Sequence, residues 1–187
     1  MGGSLVAQGN ANRAAEFNFH SDPEAAHIVL HSSLKLNREK PVVQLVPWET
    51  CMDHKLPWSF YDEIARADTT LSKILRGITV LTESMLRDKV QIPQDSDHAL
   101  DVYLYSLHQF LFPDIYATLV LLDEDAILKY HDWDIAVELE GRHSRGGCFV
   151  EWIPGALKVR NARVVSSLST ARLEAVLKET FLSASIP

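Results

Sequence analysis

The chain has 187 residues, 47% of them apolar and 23% charged, so it can bury a core without disulfides or metals. Eighteen Lys and Arg against 25 Asp and Glu give a net charge of −7, with no Lys/Arg cluster. That balance speaks against nucleic-acid and anionic-membrane partners, both of which need clustered positive charge. No apolar stretch approaches the roughly 18 residues of a membrane span. The start lacks the basic segment and apolar run of a secretory leader, which points to a cytoplasmic protein. Cys51 and Cys148 sit in no metal-ligand spacing and are expected to be reduced, packed thiols.

Residues 1–20 are small and polar, with an extended piece expected near Phe17 to Phe19. A helix begins sharply after them. Asp22 can cap it, Pro23 fits its first position, and it runs to about residue 33. Residues 41–46 are a β-branched run closed by Pro47, which predicts a buried strand. Pro47-Trp48-Glu49 then falls past the strand's carboxyl end, where open α/β sheets place their ligands.

The three- and four-residue spacing of Leu71, Ile74, Leu75, Ile78, Leu81, Met85 and Leu86 predicts a helix over 69–89 with one apolar face turned inward. Residues 91–97 read as loop, and 98–112 fit helix or strand. Pro113-Asp114 starts an apolar helix to Leu122, and residues 123–126 read as its solvated acidic end. Alternation of Ile135, Val137 and Leu139 predicts a strand over 134–140, with residues 148–152 as its hairpin partner. A strand over 162–167 and a helix over 170–181, with Leu173, Val176, Leu177 and Phe181 inward, complete a single α/β domain.

Few residues suggest chemistry by themselves. Asn10, Glu16 and Asn18 lie in one short stretch. Two amides and a carboxylate match the edge of a sugar, because amides donate and accept while a carboxylate accepts. The same residues can equally cap their own loop. Asp114 reads as a helix N-cap or as one oxygen ligand of a hard cation. His27 and His31 are spaced i, i+4 without a third ligand, and His143 falls in a turn.

The segments Met1-Gly2-Gly3, Gly9-Asn10, Ala15-Glu16-Phe17-Asn18 and Asp22-Pro23-Glu24-Ala25-Ala26 change the reading. They resemble the central segment of the inosine-uridine-type nucleoside hydrolases. Val46-Pro47-Trp48-Glu49, Ile135 to Gly141, Ser144-Arg145-Gly146 and Asn161 to Val164 resemble later parts of that family, in the same order. The resemblance implies the C-terminal part of an open, mostly parallel sheet with flanking helices and a closing β-hairpin. It implies cleavage of the N-glycosidic bond of purine or pyrimidine nucleosides, with Ca²⁺ as cofactor, a nucleoside substrate and a homo-oligomeric state. Carried over by position, Asn10, Glu16 and Asn18 bind ribose hydroxyls, Asp114 is a Ca²⁺ ligand, and Met1 lies near the ribose.

Two departures accompany the match. The family's Asp-rich N-terminal motif, which supplies most Ca²⁺ ligands and the water-activating aspartate, has no counterpart in these 187 residues, so no catalytic residue is assigned. Pro113 stands where many members have a His that protonates the departing base. Two expectations follow. One is the C-terminal portion of a longer hydrolase. The other is a non-catalytic remnant that binds ribosides or pairs with full-length subunits.

Overall fold

In the computed structural model, Asp22 opens the second helix as its sequence foretells. Its Oδ1 accepts from Ala25 N–H at 2.9 Å, and Pro23 takes the first helical position, where a missing N–H costs nothing. The structure describes residues 1–34, 41, 43–88, 109–110, 112–153 and 160–183. They fall into two compact units, Met1–His54 with Phe112–Ser169, and Lys55–Leu111 with Thr170–Pro187.

In the first unit α1 (Phe17–Ser21) and α2 (Pro23–Leu34) precede β1 (Val43–Leu45) and α3 (Trp48–Asp53). Later come α6 (Pro113–Leu122), a 3₁₀ turn (Glu124–Ala126), β4 (Ile127–Trp133), β5 (Ile135–Val137), β6 (Cys148–Val150) and β7 (Ala162–Leu168). The main sheet has the order β1-β7-β4 and is mixed: β1 runs parallel to β7, and β4 antiparallel to it. Across that antiparallel pair Arg163 faces Asp132, with Nε to Oδ1 at 3.0 Å, and its guanidinium lies 4.0 Å above the Tyr130 ring. β5 and β6 form the expected closing hairpin, in register Ile135↔Val150 and Val137↔Cys148. One core joins these pieces: Phe19 and Leu30 from the helices, Leu45, Ala162 and Val164 from the sheet, and Ile135, Val137 and Cys148 from the hairpin.

The second unit holds β2 (Leu56–Pro57), α4 (Trp58–Ala65), α5 (Thr70–Asp88), β3 (Gln109–Phe110) and α7 (Thr170–Leu182), with β2 and β3 paired antiparallel. Polar groups lock its helices together. Tyr61 shares its hydroxyl with Thr79 at 2.5 Å, and Arg87 bridges Asp62 and Glu83 over the Trp58 ring.

Several expectations change. The piece near Phe17 to Phe19 is helical, because the Glu16 carboxylate caps it. The strand over 134–140 stops at Val137, where Glu138 O accepts from Gly146 N–H and turns the chain. Strand β4 gives no alternating signal, since register shifts between Ile127, Lys129 and Tyr130 break the two-residue period. The α5 face is rotated from expectation. Leu75 is buried beside hydrogen-bonded Ser72 and Thr79, whereas Ile74, Ile78 and Leu81 are 53%, 64% and 71% exposed. The loop 91–97, most of 98–112, and the side chains of Met85 and Leu86 lie outside the described residues.

Asn161 ties the hairpin to the sheet. Fully buried, it accepts from Ile135 N–H at 2.9 Å and donates to Ile135 O at 2.8 Å, so one amide satisfies both backbone groups of a core residue. Asn161→Ala leaves both unpaired, and we expect a stability loss of about 3 kcal/mol in a denaturant titration. A loss under about 1 kcal/mol would show that the pair contributes little.

Candidate functional site

Beyond the carboxyl end of β1 the chain's first residues meet the strand. Gly2 N–H donates to Val46 O at 3.1 Å, and Trp48 N–H donates to Gly3 O at 2.8 Å. This places the turn Gly2–Leu5 against the segment Val46–Glu49, where an α/β sheet presents its ligand loops.

Glu16 anchors that turn. It is 2% exposed. Its Oε2 accepts from Gly3 N–H at 2.8 Å and Phe19 N–H at 3.4 Å, and its Oε1 accepts from Asn18 N–H at 2.9 Å. One carboxylate therefore caps α1 and pins the turn. Asn18, exposed on α1, donates its Nδ2 to Met1 O at 3.3 Å and to Met1 Sδ at 3.5 Å. Asn10 accepts Phe17 N–H through Oδ1 at 2.7 Å. So Asn10, Glu16, Asn18 and Met1 are brought together, and each also serves its own loop.

Gly3 has φ +75°, and a Cβ there would lie 2.8 Å from Cys148 Sγ, so the turn needs glycine twice over. Gly146 of the hairpin has φ +85°, and a Cβ would meet Phe19 O at 2.9 Å, which lets the hairpin turn press on α1.

Two further residues complete this assembly. Asn12 accepts from Ala14 and Ala15 N–H and donates to Arg145 O at 2.9 Å, tying the loop to the hairpin. Glu49, in the first turn of α3, accepts Leu5 N–H at 3.0 Å. The sequence places Glu49 past the predicted strand, at the ligand end of the sheet; its partner Leu5 is what the sequence does not show. No local spacing marks Asn12.

Asp114 lies in the first turn of α6, exposed, behind Pro113 at the helix start. The N-cap is Phe112 and not Asp114. Burial pushes the Cys51 thiol up to about 12, with smaller pushes from the charges of Glu16, Asp114 and Glu49. Cys148 is likewise pushed up to about 12 by burial, with Glu49 and Glu16 contributing.

Ca²⁺ takes 6–8 oxygen ligands. Among the described residues no group of three or more His, Cys, Asp or Glu side chains could hold a metal ion. Asp114 is one carboxylate, which by itself does not make a Ca²⁺ site. His27 and His31 stack on each other with ring centroids 4.1 Å apart, and His143 is exposed. A cavity of about 400 Å³ between β1 and α6 is lined by Gln44, Val46, Ala117, Val120, Leu121 and Glu124. None of Asn10, Glu16, Asn18 and Asp114 lines it.

The fold and this loop define an α/β protein that presents amides and a buried carboxylate at the carboxyl end of a sheet. The profile of the inosine-uridine preferring nucleoside hydrolases matches residues 1–175, and the chain belongs to that family. It is similar to a solved inosine-guanosine nucleoside hydrolase, with 25% identity and a TM-score of 0.79 over 99% of this chain and 51% of that one. Two further structures bear on the fold alone. One is a plant nucleoside hydrolase, with 17% identity and a TM-score of 0.72 over 97% and 52% of the two chains. The other is a purine-preferring ribonucleoside hydrolase from Gardnerella vaginalis, with 20% identity and a TM-score of 0.68 over 95% and 52%. The chain thus spans about half the length of these solved relatives. No curated protein sequence matches it. Among the described residues no helix is long and apolar enough to cross a membrane.

The raised thiols make a pH prediction. Between the ordinary thiol range and about 12 the unfolded chain gives up both thiol protons while the folded chain keeps them. Fewer protons are then bound in the unfolded state, so stability falls as pH rises through that window. Denaturant titrations from pH 8 to pH 10.5 should show the decline, and Cys51→Ser/Cys148→Ser should flatten it. In the folded protein at pH 8 neither thiol should react with a thiol reagent.

Proposed function

We propose that this chain carries the riboside-recognising part of a nucleoside N-ribohydrolase. One observation carries the reading. Glu16 and Asn18 fasten Met1–Gly3 at the carboxyl end of β1, yet Asn18 Oδ1 and Asn10 Nδ2 have no protein partner among the described residues. Those atoms offer an acceptor and two donors, and a carboxylate with about four acceptor positions keeps one to spare beyond its three amides. The combination suits the hydroxyl edge of a ribose.

In the reaction, the bond between the anomeric carbon and a base nitrogen breaks, and a water oxygen bonds to that carbon. One water proton leaves with the base. Positive charge builds on the sugar ring in the transition state. The contribution proposed for Asn10, Glu16 and Asn18 is to hold the ring by its hydroxyls so that the anomeric carbon is presented in one orientation. Asp114 is proposed as one oxygen ligand of a cation whose other ligands the described residues do not supply. No residue is assigned to activate the water. The position before Asp114 is Pro113, whose side chain has no proton to give, and this favours a second reading: riboside binding without turnover.

Calorimetric titration tests the first reading. Inosine, uridine and free ribose should bind, free hypoxanthine should not, and Asn18→Ala should weaken inosine at least about fivefold, the loss of roughly one hydrogen bond. Binding of the base without the riboside would contradict it. An assay for released ribose, with Ca²⁺ added, should detect no turnover of inosine or uridine by this chain. Turnover that Asp114→Asn abolishes would overturn the second reading.

A further inference from the structure

Two amides of the Gly3–Leu5 turn are taken by carboxylates from different parts of the chain. Gly3 N–H donates to Glu16 Oε2 at 2.8 Å, and Leu5 N–H donates to Glu49 Oε1 at 3.0 Å. Glu49 reaches the turn from α3, 44 residues along the chain. Its other oxygen, Oε2, is buried and has no partner among the described residues, and neither has the buried Ser4 hydroxyl. An apolar side chain would fill this space without leaving an acceptor idle. What the carboxylate does supply is the hold on Leu5.

That hold propagates. The turn leads back from Leu5 through Gly3, which shares the Glu16 carboxylate with the Asn18 amide, to Met1, whose carbonyl and thioether receive the Asn18 side chain. We propose that Glu49 is a positioning residue for the riboside clamp: through Leu5 it fixes the path of Gly2–Leu5, and with it the Met1 atoms that orient Asn18. The inference rests on the riboside reading above for its ligand, and on the hydrogen bonds alone for its geometry.

Two variants separate positioning from packing. Glu49→Gln keeps an acceptor for Leu5, and Glu49→Leu keeps the bulk and removes the acceptor. The side-chain amide signals of Asn18 in a ¹⁵N–¹H spectrum report its orientation without ligand, and the Ala136 and Phe149 amides report an intact hairpin. In Glu49→Leu the Asn18 signals should move, the hairpin signals should stay, and the inosine Kd should rise tenfold or more. In Glu49→Gln both readouts should return to within threefold of the native protein. Unmoved Asn18 signals with an unchanged Kd in folded Glu49→Leu would overturn the inference. So would Glu49→Gln behaving like Glu49→Leu. If Glu49→Leu loses the hairpin signals, Glu49→Ser, too short to reach Leu5, takes its place. Loss of the hairpin in both makes Glu49 a core residue and also overturns the inference. Failure of the native protein to bind inosine would instead sink the riboside reading, while the Asn18 signals still decide the role of Glu49.

Discussion

Glu16 lies in the interior, where a carboxylate is tolerated only if its lost hydration is replaced. An ion of this size costs several kcal/mol to desolvate, and the three amides that donate to it offset that cost. Two of those amides belong to the first turn of α1 and the third to Gly3, thirteen residues earlier. Removing the charge would therefore free the helix start and the turn together. The rest of the loop is arranged around this constraint: Gly3 is shaped to pass Cys148, and Asn18 leaves α1 already pointing at Met1.

The sheet sets where this happens. β1 is parallel to β7, and Thr50 of α3 donates to Val165 O, so the chain leaving β1 is held across the next strand. His54, at the end of α3, extends the same fastening. Its Nε2 accepts from Leu168 N–H at 3.1 Å, so its Nδ1 carries the hydrogen and donates to Thr50 O at 2.7 Å. From the opposite side the hairpin closes on α1 through Gly146, and Arg145 pairs with Glu24 of α2 at 2.9 Å. The polar loop is thus supported by a strand end, a short helix and a hairpin turn, none of which is its neighbour in sequence.

Local signals mark some of these elements and not others. The start of α2, the hairpin and β1 are legible because their signals are local: a cap with proline, an alternation flanking a turn, a β-branched run. Asn10, Glu16 and Asn18 were found through resemblance, since their spacing fits a capping loop as well as a sugar site, and in the folded chain they cap the loop. The short helix α1 was missed because its cause is Glu16, whose role depends on Gly3. The rotated face of α5 was missed because Ser72 and Thr79 satisfy their hydroxyls on Ile64 O and Leu75 O, which makes them acceptable inside and lets Ile74 and Ile78 face out. Glu49 holds Leu5, and Asn12, besides its local bonds, donates to Arg145 O; no periodicity encodes these distant partners.

The central claim is that one buried carboxylate holds the turn and α1 as a unit. Amide hydrogen exchange of the folded chain tests it most directly. The Gly3 and Asn18 amides should exchange at least on the order of 100-fold more slowly than in an unstructured chain, and that protection should vanish in Glu16→Ala while the amides of β7 stay protected. Gly3 and Asn18 amides that exchange freely in a native protein with a protected β7 would contradict the account.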